Sequence, residues 1–98
     1  MDFIEFSQTT QGNAYPPQNL SEELKALWYD AKNEWDMAHN IIQNNNSKSC
    51  ARVHAYLHRK KGDLGNASYW YSISGASMPA VSIEEEWESL VGYFLNKP

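Results

Sequence analysis

The chain is poor in the features that mark several large function classes. It has a single cysteine, Cys50, among 98 residues, so no disulfide forms within it and a reducing compartment is the natural setting. It has no apolar run of membrane length, and its opening residues carry acids where a leader would carry Lys or Arg. The reading is therefore a cytoplasmic protein with no membrane partner, in which the Asn-x-Ser matches at Asn45 and Asn66 are chance. Basic charge is scarce as well: 8 Lys and Arg against 12 Asp and Glu leave a net charge of −4, which removes the footprint that phosphate-backbone binding requires and argues against a nucleic-acid partner. Glycine is sparse, and none of it builds a phosphate loop. The stretch Gly62-Asp63-Leu64-Gly65 is a joint between helices, and there is no Gly-x-Ser-x-Gly elbow.

Aromatic residues, in contrast, are plentiful. Four Trp and six Tyr supply large buried areas per residue, enough for one domain of this length to hold a core without staples. Hydrophobic spacing is helical through most of the chain. Leu20, Leu24, Leu27, Trp28 and Ala31 fall on one face, with Asn19 or Ser21 as cap and an end at Lys32-Asn33. Trp35, Ala38, Ile41 and Ile42 form a second stripe, halted by Asn44-Asn45-Asn46. A third helix opens near Ser47 or Ser49 and carries Val53, Tyr56 and Leu57 before Gly62-Asp63. The fourth runs from about Asp63 to Ser74 and ends at Gly75, a natural left-handed cap. Ser82-Ile83-Glu84-Glu85 is a capping box that opens a fifth, whose stripe is Ile83, Trp87, Leu90, Val91 and Phe94. Residues 1–19 contain Gly12, Asn13, Pro16 and Pro17 and read as an irregular arm, whose Phe3, Ile4, Phe6 and Tyr15 lie across the helices.

Shifted by 29 positions, the sequence overlays on itself. Leu24 meets Val53, Ala26 meets Ala55, Asn33 meets Gly62, Ala38 meets Ala67, and Ile42 meets Tyr71. Each unit is then a helix, a tight turn and a second helix. The expected fold is all-α, a single domain of five helices: hairpin 1 over 20–46, hairpin 2 over 47–75, and a capping helix over 82–96, with the two antiparallel hairpins stacked side by side. In the second unit, Ala55, Gly62-Asp63-Leu64, Ala67 and Tyr71 resemble the small-residue, turn and aromatic positions of the tetratricopeptide repeat and its Sel1-like relatives. That resemblance covers about residues 20–75 and implies a protein-binding scaffold. The stretches WDMAHNIIQ and VHAYLHRKKGDLGNASYWY also look like a group of small uncharacterised bacterial proteins, which implies a bacterial origin and no particular activity.

The second unit trades apolar letters for hydrogen-bonding ones: Leu27 becomes Tyr56, Tyr29 becomes His58, and Ile42 becomes Tyr71. Polar groups converging on an aromatic wall describe a ligand pocket, and an internal hydrogen-bond network is the competing account. The candidate binding residues are Arg52, His54, Tyr56, His58, Arg59, Asn66, Trp70 and Tyr71, with an anionic peptide or small molecule as the ligand. Arg52 and Arg59 share a helix side, and their alternative use is pairing with Asp63 or Glu34. His54 and His58 stand one turn apart, as zinc-binding pairs do. The metalloprotease pattern would need Glu at Ala55, and a third nitrogen would have to come from His39 on the preceding helix. The reading is therefore no metal and no cofactor. Glu84, Glu85, Glu86 and Glu88 are read as a solvated acidic first turn, and Cys50 as a small buried residue. The other functional readings are an enzyme with His54 or His58 as general base and Tyr71 as donor, its reaction and catalytic residues otherwise unknown, and a homo-oligomer built through exposed Trp and Tyr.

Overall fold

The structure, a computed structural model, describes residues 1–97. Helices account for all of its regular structure among those residues: α1 Phe3–Gly12, α2 Glu22–Ala31, α3 Trp35–Ile42, α4 Lys48–Lys60, α5 Leu64–Ser74 and α6 Ile83–Asn96. The fold is all-α as expected, but with six helices rather than five. The additional one is α1, where an irregular arm was expected. Asp2 caps it: its side chain accepts from the Glu5 backbone N–H at 2.8 Å, while the Glu5 carboxylate returns to the Asp2 backbone N–H. The breakers Gly12, Asn13, Pro16 and Pro17 fall at and after the end of α1 and stop it without preventing it.

Ser21, Ser47, Asp63 and Ser82 cap α2, α4, α5 and α6, each accepting from the backbone N–H three residues on. The C-terminal ends repeat one device. After α2, Asn33 N–H donates to the Asp30 carbonyl and Glu34 N–H to that of Tyr29. After α4, Gly62 donates to Arg59 and Asp63 to His58; after α5, Gly75 donates to Ser72 and Ala76 to Tyr71. These are three Schellman caps, each with its pivot in the left-handed region (φ 62°, 80° and 81°). Asn33 tolerates that conformation almost as glycine does, so the first joint has the same backbone pattern as the second without a glycine.

α4 packs most extensively against α5, α2 against α3, and α6 lies against α2 and α4. The main core gathers Phe6, Leu24, Leu27, Trp28, Ile42, Val53, Tyr56, Leu57, Leu90, Val91 and Phe94. A smaller cluster of Ala55, Ala67 and Tyr71 lies under the α4–α5 contact, where two alanines let the helices approach. Indole N–H groups stitch the helices together. Trp28 donates to Thr9 Oγ1 of α1 at 3.1 Å, Trp35 to the Leu57 carbonyl at 2.8 Å, and Trp87 to the Leu27 carbonyl at 3.0 Å.

α1 is part of this core. Phe6 is fully buried and sits 6.2 Å from the Trp87 ring, with Phe3 edge-on to the same indole at 5.9 Å, whereas Ile4 and Tyr15 face solvent. Every tryptophan is buried or half-buried; the exposed aromatic rings belong to Tyr15, Tyr69 and Tyr93. No helix among the described residues is long and apolar enough to cross a membrane. Phe6→Ala is expected to cost about 3 kcal/mol in urea unfolding, the usual cost of emptying a buried phenylalanine site. A loosely draped arm would give a loss below about 1 kcal/mol, as surface substitutions do.

Candidate functional site

The polar residues picked out on the second helical pair separate into three neighbourhoods. The first surrounds Glu86. Ile83, Trp87 and Leu90 set the inward stripe of α6, and Glu86 lies on it, three residues after the first and four before the last. Its side chain is 1% exposed, so the expectation of a solvated acidic turn does not hold at this position. Arg59 Nη1 donates to Oε1 at 2.7 Å, and Arg52 Nη1 and the Tyr71 hydroxyl donate to Oε2 at 2.5 and 2.6 Å. Arg59 Nη2 also donates to the Val81 carbonyl, and the Arg52 guanidinium lies over the Tyr71 ring at 5.1 Å. Arg52 and Arg59 do share a side of α4, but their partner is Glu86 and not Asp63 or Glu34. The hydrogen bond to Glu86 holds the Arg59 pKa above its ordinary value; burial, then the bond to Glu86, pushes the Tyr71 phenol up.

The second neighbourhood surrounds Asp30, 1% exposed on α2. The Tyr56 hydroxyl donates to its Oδ2 at 2.7 Å and Lys60 Nζ to its Oδ1 at 2.9 Å. Burial and the adjacent carboxylate both raise the Tyr56 pKa, so this phenol stays protonated and serves as a donor.

The third is a cluster of imidazoles. His39 on α3 comes to face His54 and His58 on α4, with His39 and His54 Nε2 atoms 3.0 Å apart and ring centroids of 4.7 Å for that pair. His58 completes the triangle, its centroid 4.9 Å from His54 and 5.3 Å from His39. Two indoles enclose them: Trp70 stacks on His54 at 4.0 Å, and Trp35 stacks on His39 at 4.9 Å while meeting His58 edge-on. His58 Nδ1 lies 3.7 Å from the Asp63 carboxylate, and Lys61 Nζ sits 4.1 Å from the Trp35 ring centroid. Burial lowers all three imidazole pKa values, with repulsion from neighbouring imidazoles adding to it for His39 and for His54, which drops to about 4. His54 Nδ1 is buried and has no hydrogen-bond partner.

Of the eight residues selected from sequence, His54, His58 and Trp70 thus meet in one cluster. Arg52, Arg59 and Tyr71 meet on Glu86, and Tyr56 goes to Asp30. Asn66 is exposed and donates to Asp63, whose carboxylate caps α5. Glu86, Asp30, Trp35 and His39 were not in that selection. For the two acids the signal was present, since Asp30 stands one turn after Ala26 and Leu27 and Glu86 one turn before Leu90, all three apolar and buried.

A cavity of about 450 Å³ lies elsewhere, against α6. Lys48, Ser49 and Arg52 of α4 and Ser74 of α5 form one side; Ser89, Leu90, Tyr93 and Phe94 of α6 form the other. Next to it, Lys97 Nζ donates to Ser49 Oγ at 3.0 Å.

Removing the charge at Glu86 leaves two half-buried guanidinium groups without their counter-ion, so Glu86→Gln is expected to cost roughly 3 kcal/mol in denaturant unfolding. Glu85→Gln, which alters only the exposed half of the capping box, should cost less than about 1 kcal/mol. Equal effects at the two positions would contradict the buried network. Set against known protein families, curated proteins and solved structures, the chain matches no family model, no curated protein and no solved structure.

Proposed function

We propose that the protein is a small binding module, two helical hairpins stacked in the manner of tetratricopeptide repeats, which holds a small organic anion in the cavity between α4 and α6. The observation that carries this reading is the charge balance around Arg52. Two guanidinium groups share the single carboxylate of Glu86, so the neighbourhood keeps one positive charge in a chain whose net charge is −4. Arg52 spends Nη1 on Glu86 and is 21% exposed where it borders the cavity, with Lys48 beside it. Hydroxyls of Ser49 and Ser89 add donors, and Leu90 and Phe94 supply an apolar floor. A volume of this size suits a drug-sized or smaller molecule, and the lining suits a carboxylate with an apolar body.

The enzymatic reading, with His54 or His58 as general base and Tyr71 as hydrogen-bond donor, draws no comparable support, because the Tyr71 proton is committed to Glu86. Thermal unfolding followed with benzoate, citrate and inorganic phosphate tests the proposal. Benzoate is expected to raise the melting temperature in a saturable way. Lys48→Glu and Ser89→Glu, each placing an acid at the cavity wall, should abolish the effect while leaving the unliganded protein folded. No shift with any of the three anions, or a shift that survives both substitutions, overturns it.

A further inference from the structure

The imidazole cluster lies outside that cavity and the reading above makes no use of it. We propose that His39, His54 and His58 form a binding site for a divalent d-block cation of the zinc type, with three protein nitrogens and the fourth position taken by water.

One ring nitrogen from each histidine lies within 4.8 Å of the other two. Around a tetrahedral zinc ion, nitrogen ligands at about 2.0–2.1 Å stand roughly 3.3 Å apart. The His39–His54 contact of 3.0 Å is already at that scale. The widest pair must close by about 1.5 Å, which a modest rotation of a side chain accomplishes. His58 can supply that movement, since its side chain is 13% exposed and sits near the C-terminal end of α4.

Internal hydrogen bonding explains this cluster poorly. Three neutral imidazoles carry three N–H groups and three lone pairs. The structure pairs one N–H with one lone pair, between His39 and His54, and leaves His54 Nδ1 without a partner inside the protein. A buried polar nitrogen left in that state costs on the order of 1–3 kcal/mol. A cation held by the facing Nε2 atoms of His39 and His54 takes one lone pair from each of these two rings and places the His54 ring proton on Nδ1.

The surroundings match what metal-binding histidines require. Stacked indoles of Trp35 and Trp70 fix the planes of His39 and His54 and keep water from their faces. Asp63 lies 3.7 Å from His58 Nδ1, too long for a hydrogen bond but near enough for its charge to favour the ring proton on that nitrogen and leave the other for the ion. Asp36 and Asp63 are the acids whose charge reaches the rings, and Lys61 the base that opposes a cation there. The motif was hidden in sequence because its third ligand comes from a different helix. The α3–α4 packing brings His39 opposite a His-x-x-x-His pair that by itself is common and uninformative.

Calorimetric titration of the chelator-treated full chain with zinc should give one site per chain. Cobalt(II) loading should produce the strong visible bands of four-coordinate cobalt and not the weak ones of the hexa-aqua ion. His39→Gln and His58→Gln should each weaken zinc binding by roughly 100-fold or more, since even outer partners of metal ligands are worth 10–100-fold. Asp63→Asn, which keeps a capping side chain but removes the charge behind His58, should weaken it about tenfold. Circular dichroism of each variant checks that it is folded. If a histidine variant is unfolded, the Asp63→Asn result and the cobalt spectrum of the wild-type protein decide. The absence of stoichiometric zinc binding, a six-coordinate cobalt spectrum, or unchanged affinity in folded histidine variants overturns the proposal. Because benzoate binding is read in a different cavity, either proposal can fail without the other.

Discussion

A carboxylate taken out of water must be paid for by partners, and Glu86 sets the terms for the whole C-terminal half of this protein. One buried acid on α6 gathers two arginines from α4 and a tyrosine from α5, so three helices are fixed relative to one another by a single side chain. Asp30 does the same for α2 and α4 through Tyr56 and Lys60. Hydrophobic burial supplies most of the free energy of folding, but it is indifferent to small slips of one helix along another. Buried charges with directed donors are not indifferent, because a slip leaves an ion unpaired. The polar letters that replace apolar ones in the second helical pair are therefore used largely for registration. Arg52, Arg59, Tyr56 and Tyr71 all end on one of two buried acids.

That use explains both what could be read from the sequence and what could not. Local chemistry was legible. The caps at Ser21, Ser47, Asp63 and Ser82 and the left-handed stop at Gly75 follow from residue type and spacing within one turn. The inward stripes of α2, α4 and α6 were legible for the same reason. α1 was obscured because Gly12, Asn13, Pro16 and Pro17 colour a whole segment, although they stand at or beyond its last residue and Asp2 with Glu5 is a capping box at its first. Glu86 was obscured by company: three consecutive glutamates at a helix start suggest dipole complementarity and water, and only their phase against Ile83 and Leu90 separates the third from the other two. Asp30 had a related disguise, placed near the polar end of α2 yet one turn after the buried Ala26.

Long-range pairing was the part no local pattern could supply. His54 and His58 declare themselves as a one-turn pair, but His39 joins them only through the packing of α3 on α4. The same packing brings Trp35 against two of the rings, while α5 brings Trp70 against the third. Once the arginines and tyrosines are assigned to Glu86 and Asp30, these imidazoles of α3 and α4 are left with nitrogens the protein does not itself fully use. A buried nitrogen without a partner beside two further neutral rings is a costly arrangement for a scaffold and an ordinary one for a binding centre.

The central proposal is that the three imidazoles act as one unit while Tyr56 and Tyr71 serve the fold. Nitrogen-detected NMR of the histidine rings, recorded as zinc is added to one equivalent, tests it most directly. The account predicts that the signals of His39, His54 and His58 change together, in proportion to added metal, with the Tyr56 and Tyr71 resonances unmoved. Response of one or two rings alone, or none, would contradict it.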